Sequence, residues 1–215
     1  MAFEKILILE SSWAEQEEHY ISDSRSTSRI YGGFEALLSV HDKPVFTVVR
    51  PLLKSRYLSD IKQFITLQAN RKGPNIIILS AHGRHELVKK RDKRKHRRIL
   101  EAIDGKINLS RDIRKLSSQL NRTIFLLDAC WVGIDVESFR KASGALGVIG
   151  YSEEVDWVDS SAFILALLMN YQKGGIFQMQ RVSPVKPQKV LSRMKNEAYK
   201  SLMEELGVEY NFRGI

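Results

Sequence analysis

The sequence predicts an α/β protein, a three-layer α-β-α sandwich in which helices cover both faces of a mostly parallel sheet. Short apolar runs at residues 5–9, 75–80 and 123–127 end in small or polar residues, which is typical of buried parallel strands. A fourth run, at 45–49, is stopped by Pro51. Because segments with helical spacing alternate with these runs, we expect a parallel sheet covered on both sides.

The helices are expected to begin at polar residues that cap their first turns. These caps are Asp60, Ser110, and Asp159 or Ser160. Gly73 and Pro74 are expected to end the first helix. The elements that follow the strand at 123–127 are a strand at 144–151, an apolar helix to about residue 171, an amphipathic helix at about 187–206 and a last strand at 208–212.

Size and composition predict one domain over residues 1–215, with 43% apolar residues. No apolar run approaches the roughly 18 residues that a membrane span needs. Glu4 and the lack of a cleavage pattern argue against a secretory signal. The single cysteine excludes internal disulfides and favours the cytoplasm. The histidines show no metal-ligand spacing, so neither a metal nor a cofactor is expected.

The positive charge of the chain is concentrated in one run. Lys and Arg number 34 against 25 Asp and Glu, and residues 89–98 alone hold eight Lys or Arg and one Asp. A solvated helix or a mobile loop is the plain interpretation of this run. An autocleavage site and an anion-binding patch for nucleic acid or an acidic partner remain open alternatives.

Two residues with catalytic chemistry follow consecutive predicted strands. His82 comes directly after the strand at 75–80, and Cys130 comes after the strand at 123–127. Functional groups gather at the carboxyl ends of strands in such sheets, so we expect this pair to meet. A thiol needs a base beside it, because the thiolate is the nucleophile. Gly83 would leave room for substrate, and the backbone amides of Gly83 and Cys130 are candidates for an oxyanion hole.

The motifs around this pair resemble a known group. Ser80-Ala-His-Gly83 and Asp128-Ala-Cys130, with His82 and Cys130 48 residues apart, resemble the two signatures of caspase-like cysteine peptidases, which include caspases, metacaspases and CHAT-domain proteins. The segments 144–156 and 208–214 are similar to the CHAT pattern. The resemblance implies a caspase–haemoglobinase fold. It also implies a cysteine endopeptidase in which Cys130 attacks the peptide carbonyl and His82 serves as base and then acid. Residues 131–133 depart from the His-Ser-Gly usual in metacaspases, which leaves the subfamily open.

The resemblance also implies where the P1 side chain of a substrate binds. Asp128, Asp156 and Trp157 are the candidate S1 residues, and two carboxylates there would favour Arg or Lys. A strand-end Asp that caps backbone amides is an equally weighted interpretation of Asp128. Arg25 and Arg29 support the opposite alternative, an acidic P1 residue.

A protein or peptide substrate is the expected partner, and control by a regulatory protein or by zymogen cleavage is implied for so small a peptidase. Defence and regulated cell death are the settings that the resemblance implies. Two rival hypotheses remain: a non-catalytic interaction module of the same fold, and a nucleic-acid-binding protein that uses residues 89–98.

Overall fold

The computed structural model describes residues 5–11, 45–67, 73–90, 93–177, 187–196 and 198–213. Within these ranges, the side chains of residues 89–90, 93–96 and 172–177 are not described. Arg25 and Arg29, the candidates for an acidic-P1 pocket, lie outside the described residues.

A six-stranded sheet forms the centre of the domain. Its strands are β1 (Lys5–Glu10), β2 (Phe46–Pro51), β3 (Asn75–Ser80), β7 (Thr123–Asp128), β8 (Gly147–Tyr151) and β9 (Val208–Phe212). Their order is β2-β1-β3-β7-β8-β9. All neighbours are parallel except β8 and β9, which are antiparallel. Every residue of β1, β3, β7 and β8 is buried, as expected for strands covered on both faces.

Helices cover both faces of this sheet. One face packs against α1 (Tyr57–Thr66), α2 (Leu109–Asp112), a 3-10 helix (Ile113–Gln119) and α3 (Val136–Ser143). The other packs against α4 (Trp157–Phe177), α5 (Pro187–Asn196) and α6 (Lys200–Glu205). Alternate residues of β3 divide between the two cores: Ile77 and Leu79 join the first, and Ile76 and Ile78 the second. The predicted three-layer α/β sandwich is therefore confirmed, and it is consistent with a caspase-like sandwich.

A second, antiparallel sheet is inserted between β3 and β7. It consists of β4 (Gly83–Lys90), β5 (Lys93–Ala102) and β6 (Gly105–Asn108). The interpretation of the basic run as a helix or loop is therefore wrong. Ile99, Leu100 and Ile107 are buried and fix the base of this sheet, and cross-strand pairing extends it into residues that have no apolar pattern.

The predicted helix starts are wrong, and contacts with other segments hold two of the predicted caps, Asp60 and Ser110. Asp60 lies in the first turn of α1, buried, where its carboxylate pairs with Arg50 at 2.6 Å and Arg56 at 3.0 Å. That helix ends at Thr66, well before Gly73.

The second and third caps are also different residues. The side chain of Asn108 accepts a hydrogen bond from the Arg111 amide at 3.1 Å and caps α2. Asp156 caps α4 by accepting from the Val158 amide at 2.7 Å.

The remaining boundaries differ in smaller ways. The helix α4 extends past residue 171 to Phe177, and the predicted 187–206 helix consists of α5 and α6. Pro51 is the last residue of β2, a half-exposed edge strand, rather than the residue that stops it.

Candidate functional site

The carboxyl ends of three neighbouring strands carry a buried polar row. Glu10, Ser80 and Asp128 are paired in register across β1, β3 and β7. All three are 0% exposed, and the Ser80 hydroxyl donates to Asp128 Oδ2 at 2.7 Å. By alternation along the strands, the row faces the α4 side of the sheet. Sequence reasoning missed Glu10 and Ser80, although Glu10 directly follows an apolar run and so obeys the same strand-end rule that selected His82.

The segments that contain His82 and Cys130 lie side by side. The Ala81 amide donates to the Asp128 carbonyl at 3.1 Å. At Gly83, an added Cβ would lie 2.7 Å from both Ala129 Cβ and the Cys130 carbonyl oxygen. The half-buried His82 therefore sits between two points where its segment touches the segment that ends in Cys130.

Gly83 itself has a different role from the one expected. The space beside its Cα is filled by Ala129, the Cys130 carbonyl and Val132. The absence of a side chain at Gly83 thus serves close packing of the two strand ends, and it does not leave room for a substrate.

The thiol of Cys130 is enclosed in this conformation. The residue is 8% exposed. Its Sγ lies 3.8 Å from the Val155 carbonyl, to which it donates, and 3.5 Å from the Val155 amide, from which it accepts. Burial raises the pKa of the thiol, the charges of Glu154 and Asp128 add to that rise, and the Val155 amide opposes it. The resting thiol is therefore protonated at neutral pH and needs a base to become a nucleophile.

A tight turn follows Cys130. Trp131 has a φ of 57°, in the left-handed region, and its amide donates to the Glu153 carbonyl at 3.1 Å. The Gly133 amide donates to the Tyr151 carbonyl at 2.7 Å. The turn is thus bonded to β8 and to the loop after it, residues 152–156. The oxyanion role expected of the Gly83 and Cys130 amides stays a prediction.

The three S1 candidates occupy different environments. Asp128 is fully buried against Ser80, so in this conformation its carboxylate is closed to a substrate side chain. Asp156 is exposed while it caps α4, and Trp157 is half-buried as the first residue of that helix. Their binding roles stay predictions. Asp156 and Trp157 follow directly after Val155, the residue that contacts the thiol.

No group of three His, Cys, Asp or Glu side chains that could hold a metal ion occurs among the described residues. In the part of the chain that the structure describes, no helix has the length and apolar character needed to cross a membrane.

Comparisons with known proteins leave the family open. No protein-family model matches the sequence, and no curated protein matches it. Among solved structures, the chain is similar to protein GSU0716 from Geobacter sulfurreducens, with 10% sequence identity and a TM-score of 0.38 over 99% of this chain and 93% of that one.

Proposed function

We propose that this chain is a cysteine endopeptidase in which Cys130 is the nucleophile and His82 the general base. The observation that carries the proposal is the packing of residues 81–83 against residues 128–130 at the carboxyl edge of the sheet. The segments that hold the single cysteine and His82 lie side by side there, next to a buried polar row, at the edge where this kind of fold gathers its chemistry. The proposed setting in defence or cell death rests on the resemblance alone.

The proposed chemistry uses the two side chains in sequence. His82 takes the proton from Cys130, and the thiolate attacks the peptide carbonyl carbon. The tetrahedral intermediate collapses to a thioester as His82 gives the proton to the leaving amine. Water, with His82 again as base, then releases the new carboxylate and restores the thiol.

The enclosed thiol makes opening of the 152–156 loop a part of this proposal. The backbone of Val155 occupies the position next to Sγ that a substrate would need. A regulatory protein or a cleavage that displaces this loop would uncover the thiol. The same movement would lower the thiol pKa towards its ordinary value, because burial is the largest cause of its rise.

The loop beside the thiol favours a substrate with a basic P1 residue. Glu153, Glu154 and Asp156 are all exposed on it, around the Val155 contact. Three carboxylates within four residues attract Arg or Lys through charge-assisted hydrogen bonds. This surface supports the basic-P1 proposal more directly than Asp128 does, since Asp128 is enclosed.

Fluorogenic peptides with Arg, Lys or Asp at P1 test the proposal. We expect the Arg and Lys peptides to be cleaved and the Cys130→Ala and His82→Ala proteins to be inactive while folded. Equal cleavage by Cys130→Ala would rule the proposal out. If the chain is latent as purified, the same assay is run after limited proteolysis, which is one way to displace the 152–156 loop.

A charge-matched pair of variants tests the preference separately. Changing Glu153, Glu154 and Asp156 to Gln, Gln and Asn should lower kcat/KM for Arg-P1 peptides by about tenfold or more, since an ion-pair contribution of about 1.4 kcal/mol corresponds to tenfold. The Asn at 156 keeps an oxygen to cap α4. The control changes three exposed glutamates elsewhere to Gln: Glu137, Glu204 and Glu205. An equal effect of both variants would contradict the basic-P1 proposal.

The basic β4–β5 ribbon supports a second candidate function, contact with a nucleic-acid duplex. The β6 strand pairs only with residues 99–102 of β5. From the pair His85 and Arg98 outwards, the small sheet therefore consists of two strands, β4 and β5. Residues 84–97 carry eight Lys or Arg and two acidic residues, a net +6 of the +9 of the chain. A two-stranded ribbon fits the major groove of B-form DNA.

The register of this ribbon also pairs residues of like charge. Lys89 is paired with Arg94, and Lys90 with Lys93. Such pairs destabilise a hairpin, and bound phosphates would relieve their repulsion.

Fluorescence anisotropy with a labelled DNA duplex tests this second candidate over a salt series. Changing Lys93, Arg94 and Lys95 to Gln should weaken binding and reduce the slope of log K against log[salt] by about three. The control removes the same charge from α5, at Lys189, Arg193 and Lys195. Salt-independent binding, or an equal loss in both variants, would contradict it.

A further inference from the structure

One arginine of the basic run is buried, and three of its hydrogen bonds go to the turn that follows Cys130. Arg98 is 1% exposed although it follows a run of cationic residues. Its Nε donates to the Val132 carbonyl at 2.9 Å, and one terminal nitrogen donates to the carbonyls of Ile134 and Asp135. The other terminal nitrogen donates to Ser110 Oγ at 3.2 Å. The guanidinium thus binds three carbonyl oxygens within four consecutive residues.

The ring of Phe139 closes the other side of this contact. The guanidinium carbon of Arg98 lies 5.4 Å from the centroid of that ring, within cation-π range. Burial lowers the pKa of Arg98 to about 10, and the charge of Asp135 opposes this effect. Arg98 is therefore still cationic at neutral pH, and its donors remain charge-assisted.

The turn that Arg98 holds needs an anchor from outside. Trp131, with a φ of 57°, opens the turn, and Asp135, with a φ of 56°, ends it. Non-glycine residues in the left-handed region cost about 1 kcal/mol or more each, so surrounding contacts must hold them there. The hydrogen bonds from Arg98 to the carbonyls of residues 132, 134 and 135 supply such contacts.

We propose that Arg98 is a positioning residue that fixes the 131–135 turn and thereby the placement of Cys130. The inference rests on the proposed function, since it assigns Arg98 a part in the same site. The turn begins at the residue bonded to Cys130, and its amides tie it to Tyr151 and Glu153. Loss of the Arg98 contacts frees one side of the turn and lets the thiol move away from Val155.

The geometry requires arginine rather than lysine at this position. The planar fork of a guanidinium sends donors in several fixed directions at once, which matches carbonyls at 132, 134 and 135 together with Ser110 Oγ. A lysine ammonium is a compact charge and would reach only part of this set. Arg98→Lys should therefore keep part of the function and Arg98→Met should lose it.

Alkylation of the single cysteine measures this role without depending on peptidase activity. In a folded protein, the rate with iodoacetamide reports the exposure of Cys130 and the fraction of its thiolate. We expect Arg98→Met to react about tenfold faster than wild type at neutral pH and Arg98→Lys to lie between the two. The matched control is Arg97→Met, which removes the adjacent exposed arginine, paired with Glu86 at 3.4 Å.

The pH dependence of alkylation separates positioning from a general loss of stability. The charged groups that act on the thiol are Glu154 and Asp128, and His82 lies on the neighbouring segment; all three are unchanged in these variants. Exposing the thiol reduces its desolvation, so the midpoint of the rate profile should move to lower pH in Arg98→Met. Denaturant unfolding identifies the conditions in which each variant is fully folded, and the profiles are compared there.

The outcomes divide clearly. Faster alkylation and a lower midpoint in Arg98→Met, with Arg97→Met like wild type, support the positioning role, whether or not wild type cleaves peptides. Rates and midpoints equal to wild type in both Arg98 variants overturn it. If Arg98→Met does not fold, Arg98→Lys carries the test alone, and an unchanged midpoint in that variant overturns the inference. If wild type cleaves peptides, a fall in kcat for Arg98→Lys is expected as well.

Discussion

The two sheets of the domain are built from opposite kinds of sequence. The strands β1, β3 and β7 are continuous apolar runs and are buried throughout. The strands β4 and β5 are rich in Lys and Arg, and most of their described residues are half-buried or exposed. The central sheet is held by its two apolar cores, and the small sheet is held by its pairing and by a few buried residues at its base. Substitutions should therefore be costly in the first sheet and mild at the exposed positions of the second.

The largest expected difference between the two sheets comes from apolar truncation. Phe125 in β7 is fully buried and packs edge-to-face on Phe139, with 6.0 Å between the ring centroids. Phe125→Ala should therefore lower the free energy of unfolding by about 3–5 kcal/mol. Leu87 in β4 is 49% exposed, so Leu87→Ala should cost about 0.5 kcal/mol or less. Denaturant unfolding measures both. Similar values for the two variants would break the comparison.

The next largest effect is expected where the turn after Cys130 packs on β8. A Cβ added at Gly133 would lie 2.4 Å from backbone atoms of Gly150 and Tyr151, which cannot move without disturbing the sheet. Gly133→Ala should therefore cost about 2–4 kcal/mol. Lys106→Ala in β6 removes an exposed ion pair with Glu101, in which Nζ and Oε1 are 3.7 Å apart. This change should lower the free energy of unfolding by about 0.5 kcal/mol or less. An unchanged free energy of unfolding in Gly133→Ala would contradict the close packing of Gly133 on the backbone of β8.

The loss of a polar contact should also lower the free energy of unfolding more in the central sheet than in the small sheet, although by less than the loss of apolar packing. Ser80→Ala removes the hydroxyl that donates to the buried Asp128 carboxylate and should cost about 1.5–3 kcal/mol. Glu86→Gln in β4 weakens exposed pairs with Arg84 at 3.3 Å and Arg97 at 3.4 Å, and should cost about 0.5 kcal/mol or less. The measurement is thermal or denaturant unfolding of both variants at one pH. A larger loss for Glu86→Gln would contradict the division.

The smallest effect is a pH dependence that Cys130 contributes. Its pKa is raised in the folded protein, mainly by burial, so folding favours the protonated thiol. That stabilisation is fully present below the unfolded pKa of about 8.5 and is lost as the pH rises through the folded pKa. The difference in unfolding free energy between wild type and Cys130→Ala should therefore shift against wild type above about pH 8.5. A difference that stays constant with pH would contradict the burial of this thiol.

The contrast between the sheets also explains what the sequence could predict. A strand that is buried on both faces has an uninterrupted apolar sequence. The strands β1, β3 and β7, and with them the three-layer fold, were therefore predictable. A strand such as β5 is defined by pairing with other segments, and its basic sequence has no pattern that a single-strand reading detects. The prediction of Asp60 as a cap is wrong for a related reason: Asp60 is a good cap by residue type, but Arg50, on the preceding strand, pairs with it inside the first turn.

The candidate site divides in the same way. That the His82 and Cys130 segments meet follows from a general rule about strand ends, and the sequence contained both motifs. Nothing in the run distinguishes Arg98 from Arg97, because only the folded chain buries one and exposes the other. The enclosure of the thiol by Val155 was equally unpredictable, since it depends on how the 152–156 loop folds back on the turn after β7.

The central claim is that Cys130 is a nucleophile activated by His82, and a mechanism-based probe tests it most directly. Intact-mass measurement after incubation with a peptidyl acyloxymethyl ketone that carries Arg or Lys at P1 reports a covalent adduct on the single cysteine. We predict a stoichiometric adduct in wild type, none in Cys130→Ala and a much slower one in His82→Ala. A folded wild-type protein that stays unlabelled after the 152–156 loop has been cleaved, or that labels equally fast without His82, would contradict the claim and favour a non-catalytic module.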